Sequence, residues 1–487
     1  MSIFPILLIV IVIAADGGLR LAQLDLPAST SAWMAVVPIA SIFAMLWIGT
    51  AWCGKKLDRG GGPGWIILGE RLAHHARWLI LINHAFAVLL FGWLDAVRSV
   101  IGNVILLDEL ITILPPVLGV IATWWAYFPI ERRLREALTI RRLDLGQPLH
   151  PLPSRGMYVF MQARIGLLML LVPILLIVAL SEAIRTAAAA WLPANYGAPL
   201  AEGASVIAAA GVFLFAPLMA RLLLGVKSMP PGPVRDDLLG ICGTHRVKVR
   251  DLLLWNTGGS MINAAVMGLI GRLRYVLITD ALLESMTERQ VKAVMAHEVA
   301  HVRKHHLPWM IVVMIALITS TAMLMEAPFM LLHAWNVRFP AGFLQWLGVP
   351  MTIAQVAVAL AAFGWVSRRF ERQADTFAAQ HLSVHPPMDD TNETEPHDGS
   401  HIREEAVRAM QGALETIAVM NAVDPRRSSW RHGSIVWRQA YLQSIVGQPT
   451  DSLPIDRTVK RLKRATAIVL VAVAIAWIWL EYGFWVS

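Results

Sequence analysis

The sequence predicts a mainly α, polytopic membrane protein of about eight or nine spans with a cytoplasmic α+β domain. Three observations predict it: an apolar composition, a series of long uncharged runs, and an amphipathic segment between two of those runs that carries His297-Glu298-Val299-Ala300-His301. Composition sets the solvent. Of the 487 residues 56% are hydrophobic and 16% charged, with a mean hydropathy of +0.56, whereas soluble chains average about 25% charged.

Apolar stretches able to cross about 30 Å of hydrocarbon lie near residues 32–52, 77–94, 106–129, 165–184, 204–226, 309–334, 350–366 and 465–484. A ninth, 2–15, is short. It has no basic residue ahead of it and meets Asp16 early, so it reads as an uncleaved first helix rather than a removed signal. Orientation follows from the cations: Lys55, Lys56, Arg59 and Arg71, then Arg132, Arg133, Arg135, Arg141, Arg142 and Arg155, then Lys460, Arg461, Lys463 and Arg464 mark cytoplasmic segments. Alternate segments carry little beyond Arg20, Arg98, Arg185 and Arg338.

The expected organisation is an N-terminal transmembrane region (1–226), a cytoplasmic small sheet with the pentapeptide helix (227–308), two transmembrane helices (309–366), a second cytoplasmic part (367–464) and a C-terminal transmembrane helix (465–487). The net charge of +8 then reflects topology and contact with the lipid bilayer. No basic stripe with interleaved aromatics is present, so no nucleic acid is expected as a partner. Cys53 and Cys242 are the only cysteines, both on the predicted cytoplasmic side, where a disulfide is not expected.

The pentapeptide follows Thr287–Ala296, whose apolar residues recur with helical spacing. Histidines at i and i+4 share one face of a helix, so both imidazoles can reach a single Zn2+, with Glu298 beside them as a base for water. A catalytic zinc needs a third protein ligand. His305 lies eight residues beyond His297, about 12 Å along a continuous helix, too far to share the ion. After two further predicted spans the chain returns to the same side at Ser367-Arg368-Arg369-Phe370-Glu371-Arg372-Gln373-Ala374-Asp375. Glu371 could complete the site, with Asp375 one turn later orienting a ligand histidine. Equally, Glu371 and Arg368 could be an ordinary i, i+3 surface pair.

Taken together, the pentapeptide after an apolar run, two hydrophobic spans and Ser-Arg-x-x-Glu-x-x-Ala-Asp resemble the integral-membrane zinc endopeptidase family that includes the CAAX prenyl endopeptidase and the HtpX protease. Upstream, Asn263-Ala264-Ala265-Val266-Met267-Gly268 and Tyr275–Leu283 resemble that family's NAxxxG turn, edge strand and following segment. Downstream, Arg431-His432-Gly433-Ser434 through Arg438 resembles its Ser-His-Pro-x-x-x-x-Arg element, with Gly433 where proline is usual. The resemblance implies a gluzincin-type zinc metalloprotease domain with one zinc per chain, held by His297, His301 and Glu371. It further implies Glu298 as general base, Asp375 as the orienting carboxylate, His432 as a catalytic donor to the developing oxyanion, and Asn263 and Arg438 as substrate-binding residues beside an edge strand that takes up an extended peptide.

Residues 246–279 read as short strands, and 385–405 as a disordered polar loop whose His385, His397 and His401 are solvated. Within the spans, His84, Asp108, Glu109, Glu182 and Glu326 either line a wet chamber or sit at headgroup depth. The expected function is zinc-dependent hydrolysis of membrane-associated or misfolded polypeptides, at the cytoplasmic (inner) membrane of a bacterium. The rivals are a BlaR-type signal transducer, whose sensor domain has no room after residue 484, and a catalytically dead scaffold.

Overall fold

The computed structural model describes residues 4–19, 24, 26–144, 146, 148–335, 343–385, 399–421 and 423–482. It divides into two compact units, Met1–Val226 and Lys227–Ser487. In the first unit every element is helical: α1 (Phe4–Asp16), α2 (Ala28–Asp58), α3 (Gly64–Leu89), α4 (Trp93–Ile101), α5 (Leu107–Asp144), α6 (Arg155–Ala163), a π-helical turn (Arg164–Leu168), α7 (Met169–Trp191) and α8 (Ala194–Leu224).

Four helices here are long and apolar enough to cross a bilayer: Ala28–Asp58, Leu107–Ile140, Arg155–Trp191 and Asn195–Leu224. The run predicted at 77–94 forms a bent pair instead. α3 and α4 meet at 61°, and the chain turns through Gly92, whose φ of +63° suits a residue without Cβ. α1 is shorter, and its Leu8, Ile9 and Val12 are buried within the unit. Several ionisable residues of this unit have polar partners: the Arg98 guanidinium reaches Asp16 at 2.7 Å, Asp108 at 2.5 Å and Glu109 at 3.3 Å, while His84 Nε2 lies 3.1 Å from the Leu8 carbonyl. Glu182 accepts the Leu106 amide. Cys53 and Cys242, one in each unit, are both buried and unpaired.

The second unit holds a four-stranded sheet of order β1-β2-β4-β3: β1 (Lys227–Ser228), β2 (Asp251–Trp255), β3 (Ala264–Met267) and β4 (Tyr275–Thr279). β4 is buried along its whole length and runs parallel to β2, as its uninterrupted apolar sequence requires. β3 pairs antiparallel with β4 and forms the sheet's edge. Around the sheet lie α9 (Pro233–Thr244), α10 (Asp280–Ser285), α11 (Glu288–Arg303), α12 (His306–Ala334), α13 (Phe343–Val384), α14 (Glu404–Met420), α15 (Ile435–Ser444) and α16 (Pro454–Tyr482). One core unites Leu252, Val276 and Ile278 of the sheet with Val294 and Ala300 of α11, Ala374 and Phe377 of α13, and Met410 of α14.

α12 (as His306–Met330) and α16 (as Pro454–Trp479) are candidate spans, making six among the described residues or seven with the bent pair. The run predicted at 350–366 falls within α13, which continues without a break into the Glu371 segment. Of the loop expected at 385–405, residues 386–398, with His397, lie outside the described residues; Glu404 and Glu405 form the first turn of α14, and His401 bridges to Pro449.

Gly268 ends the edge strand with a φ of +110°, and a Cβ there would come within 2.7 Å of the Leu273 carbonyl oxygen. Gly268→Ala is therefore expected to destabilise this unit by about 1–3 kcal/mol. Thermal unfolding of the detergent-solubilised chain reads this; an unchanged transition would show that the turn relaxes freely.

Candidate active site and metal centre

The site is built on the end of one helix and the middle of another. Thr287 and Gln290 start α11 with reciprocal bonds: Thr287 Oγ1 accepts the Gln290 amide at 3.3 Å, and the Thr287 amide donates to Gln290 Oε1 at 3.0 Å. Val291, Val294, Ala296 and Ala300 of this helix are buried in the core. His297 and His301, one turn apart, face α13. Their Nε2 atoms lie 3.2 Å from each other and each 3.7 Å from a Glu371 carboxylate oxygen.

These three residues converge as a group able to hold a metal ion. Bonds of 2.0–2.1 Å in a tetrahedral zinc site imply ligand-to-ligand edges of about 3.3 Å, so the donor set fits zinc after a shift of a few tenths of an ångström. Two ring nitrogens facing each other at 3.2 Å across a buried carboxylate, on the side away from their other partners, are the arrangement a cation would fill.

Those other partners set the tautomers. His297 Nδ1 lies 2.9 Å from Asp375 Oδ1, at hydrogen-bond distance although off the line of a fully aligned bond. His301 Nδ1 lies 3.0 Å from His306 Nδ1, and His306 Nε2 lies 2.8 Å from Gln373 Oε1. If His301 keeps its proton on Nδ1, His306 accepts it and donates its own Nε2 proton to Gln373, and both ligand rings present a bare Nε2 to the cation. Gln373 in turn donates to Asp456 on α16.

Arg438 closes the acidic side. Its Nε and one terminal nitrogen donate to the two Asp375 oxygens at 2.7 and 2.6 Å, and a terminal nitrogen stands 3.6 Å from Glu371. Burial alone would raise both carboxyls, but Arg438 and His297 hold Asp375 below its ordinary range, and His432 with Arg438 holds Glu371 well below it. Burial lowers the His301 imidazole to about 4, which keeps it neutral and able to ligate. Burial pushes the Glu298 carboxyl up to about 7. Glu298 also accepts the Val266 amide at 3.1 Å, which ties the pentapeptide helix to the edge strand.

His432 sits on a turn closed by the Ser429–Gly433 bridge, half-exposed, with Nδ1 3.0 Å from Glu371 Oε2. The turn is anchored to α13: Trp430 Nε1 donates to the Leu360 carbonyl at 3.0 Å, and Arg368 donates to the Trp430 carbonyl at 2.9 Å. Arg368 is thus engaged with Trp430 rather than paired with Glu371. Asn263 exposes its side chain and pairs its backbone with Thr279. Alternation from that pairing turns the Ala264 and Val266 amides outward from the sheet.

The structure thus gathers His297, Glu298, His301, Glu371, Asp375, His432 and Arg438, and places Asn263 at the start of the edge strand. The fork of Arg438, expected to bind substrate, is instead buried and engaged by Asp375. His306 and Gln373 were not foreseen. A helix continuous through His305 would carry His306 away, but α11 ends at Arg303 and His305 takes a φ of +57°, so the chain turns back and brings His306 against His301. The doubled histidine after Lys304 is the signal that could have marked it.

Removing one partner of a buried ion pair leaves the other uncompensated. Arg438→Met is expected to destabilise the unit by about 3–5 kcal/mol and to weaken metal binding, while adding Asp375→Leu recovers part of the stability. Chemical unfolding of the single and double variants tests this; wild-type stability of Arg438→Met would show that the pair contributes nothing.

No curated protein matches the chain. Among solved structures, the crystal structure of S. mikatae Ste24p aligns with 86% of this chain and 100% of its own, at 14% identity and a TM-score of 0.36. A family model described as Peptidase family M48 matches residues 256–389, which hold Asn263, the pentapeptide helix, the two long helices after it, Glu371 and Asp375. Over residues 256–389, then, this multi-span chain is similar to Peptidase family M48.

Proposed function

We propose that the protein is a zinc-dependent membrane endopeptidase that hydrolyses peptide bonds in membrane-associated or misfolded polypeptides. The convergence of His297, His301 and Glu371 within an M48-matched segment, with a base in reach, carries this reading. His297, His301 and Glu371 would hold one zinc per chain, and when bound the ion supplies a Lewis-acidic centre that makes water a nucleophile near neutral pH.

The remaining steps belong to the chain. Glu298 takes a proton from the attacking water and returns it to the leaving amine; a carboxyl raised toward 7 is suited to both transfers. With both ring nitrogens protonated, His432 would give its Nδ1–H to Glu371 and its Nε2–H to the oxyanion that develops on the scissile carbonyl. An extended substrate adds to the outer edge of β3, starting at Asn263, and main-chain pairing there gives sequence-tolerant recognition. Arg438 acts through Asp375, holding the carboxylate that orients His297. The cations flanking the predicted spans support a site on the cytoplasmic face of a bacterial inner membrane.

Glu298→Gln is expected to keep one zinc per chain while losing about 100- to 10,000-fold in turnover of a peptide substrate. Glu371→Ala is expected to lose zinc affinity, having two protein ligands left. Metal analysis beside a cleavage assay separates them; undiminished turnover in Glu298→Gln would sink the mechanism, and full zinc content in Glu371→Ala would place the third ligand elsewhere. For sidedness, a cysteine introduced at Gly240 should react with an impermeant thiol reagent only from the cytoplasmic side, and one at Asn195 only from outside. The reverse pattern would overturn the orientation.

A further inference from the structure

A cavity of about 320 Å³ opens beside the first turns of α12 and α16, bounded by Trp309, Gln373, Asp456, Lys460, Lys463 and Arg464. Three cations face one carboxylate there, and that carboxylate is already taken: Asp456 pairs with Lys304 at 3.0 Å and accepts from Gln373. Lys463 donates one N–H to the Lys304 carbonyl at 2.6 Å, leaving two for a ligand. Lys460 and Arg464 are exposed and have no ion-pair partner among the described residues. The cavity wall therefore carries an excess of positive charge, with its cations on successive turns of one helix face.

Its position narrows the anion. α12 and α16 are both candidate spans, with Trp309 in the first turn of one and the cations in the first three turns of the other. An indole and a cluster of cations at the start of two spans suit the depth of lipid phosphates. Below the cavity the face bearing Lys460, Arg464 and Ala467 continues at helical spacing through Val471 and Ile475, which are 59% and 62% exposed. A phosphate at the cations would thus have an apolar track beneath it for an acyl chain.

We infer that the cavity between α12 and α16 binds the phosphate headgroup of one anionic phospholipid. Gln373 forms part of its wall and bonds to His306, the neighbour of His301, so the occupied cavity would steady the polar chain behind one metal ligand. The binding claim stands whether or not the site hydrolyses peptides.

The test titrates the full chain in detergent micelles with phosphatidylglycerol or phosphatidylcholine, counting bound lipid by native mass spectrometry. The wild-type chain should hold one phosphatidylglycerol at least about 10-fold more tightly than phosphatidylcholine, and Lys460→Gln/Arg464→Gln should lose about 30-fold of that affinity. Arg457→Gln/Arg461→Gln removes the same charge from the same helix outside the cavity and should change it less than about twofold. Equal loss in the two pairs would reduce the effect to diffuse charge and overturn the site, as would no loss in either. Displacement of the lipid by inorganic phosphate at equal concentration would overturn the lipid assignment in favour of a soluble phosphate.

Discussion

The site depends on two carboxylates one helical turn apart in a buried setting. Glu371 and Asp375 project from α13 into a space also occupied by two imidazoles, and neither is more than 5% exposed. An isolated buried carboxylate would take up a proton rather than stay charged. Arg438 prevents this by placing its fork on Asp375 and its edge toward Glu371. Once Asp375 stays ionised it can hold a proton on His297 Nδ1, and the opposite nitrogen is free to ligate. The His301–His306–Gln373 chain does the same for the other ring with neutral groups. The two histidines are thus oriented by different chemistry, one by charge and one by a relay of neutral rings and an amide.

Much of this was legible in the sequence because it is local. The pentapeptide on an amphipathic helix and the i, i+4 spacing of Glu371 and Asp375 both depend on helical geometry alone. The edge strand after Asn263 was legible from resemblance. What could not be read depends on tertiary closure. The partner of Arg438 lies 63 residues away, and nothing near Arg438 in sequence says that its fork faces a carboxylate of its own chain. His306 became visible only with the reversal at His305, since a continuous helix would carry it off the site. The predicted span at 77–94 missed its bend because apolar periodicity does not register the turn at Gly92.

The last helix has more to do with the site than its apolar sequence suggests. As a run of hydrophobic residues, 465–484 reads as an added anchor. In the structure α16 begins eleven residues earlier, at Pro454, and its polar first turn supplies Asp456 to the chain that ends at His301. Ile455 and Val459 pack with Val313 of α12 and with Val366 and Phe370 of α13, and Phe370 stacks on the His306 ring at 4°. The helices that carry the apolar surface of this unit are therefore the same ones that hold the polar groups behind the histidines.

The chemistry of the site turns on the identity of the metal and its ligands. X-ray absorption at the zinc edge of the metal-loaded wild-type chain measures this directly. One zinc with two imidazole rings and the rest of its coordination made of oxygen, at bond lengths of about 2.0–2.1 Å, is the expected result. A spectrum showing sulfur near about 2.3 Å, or three imidazoles, would contradict the ligand set of His297, His301 and Glu371.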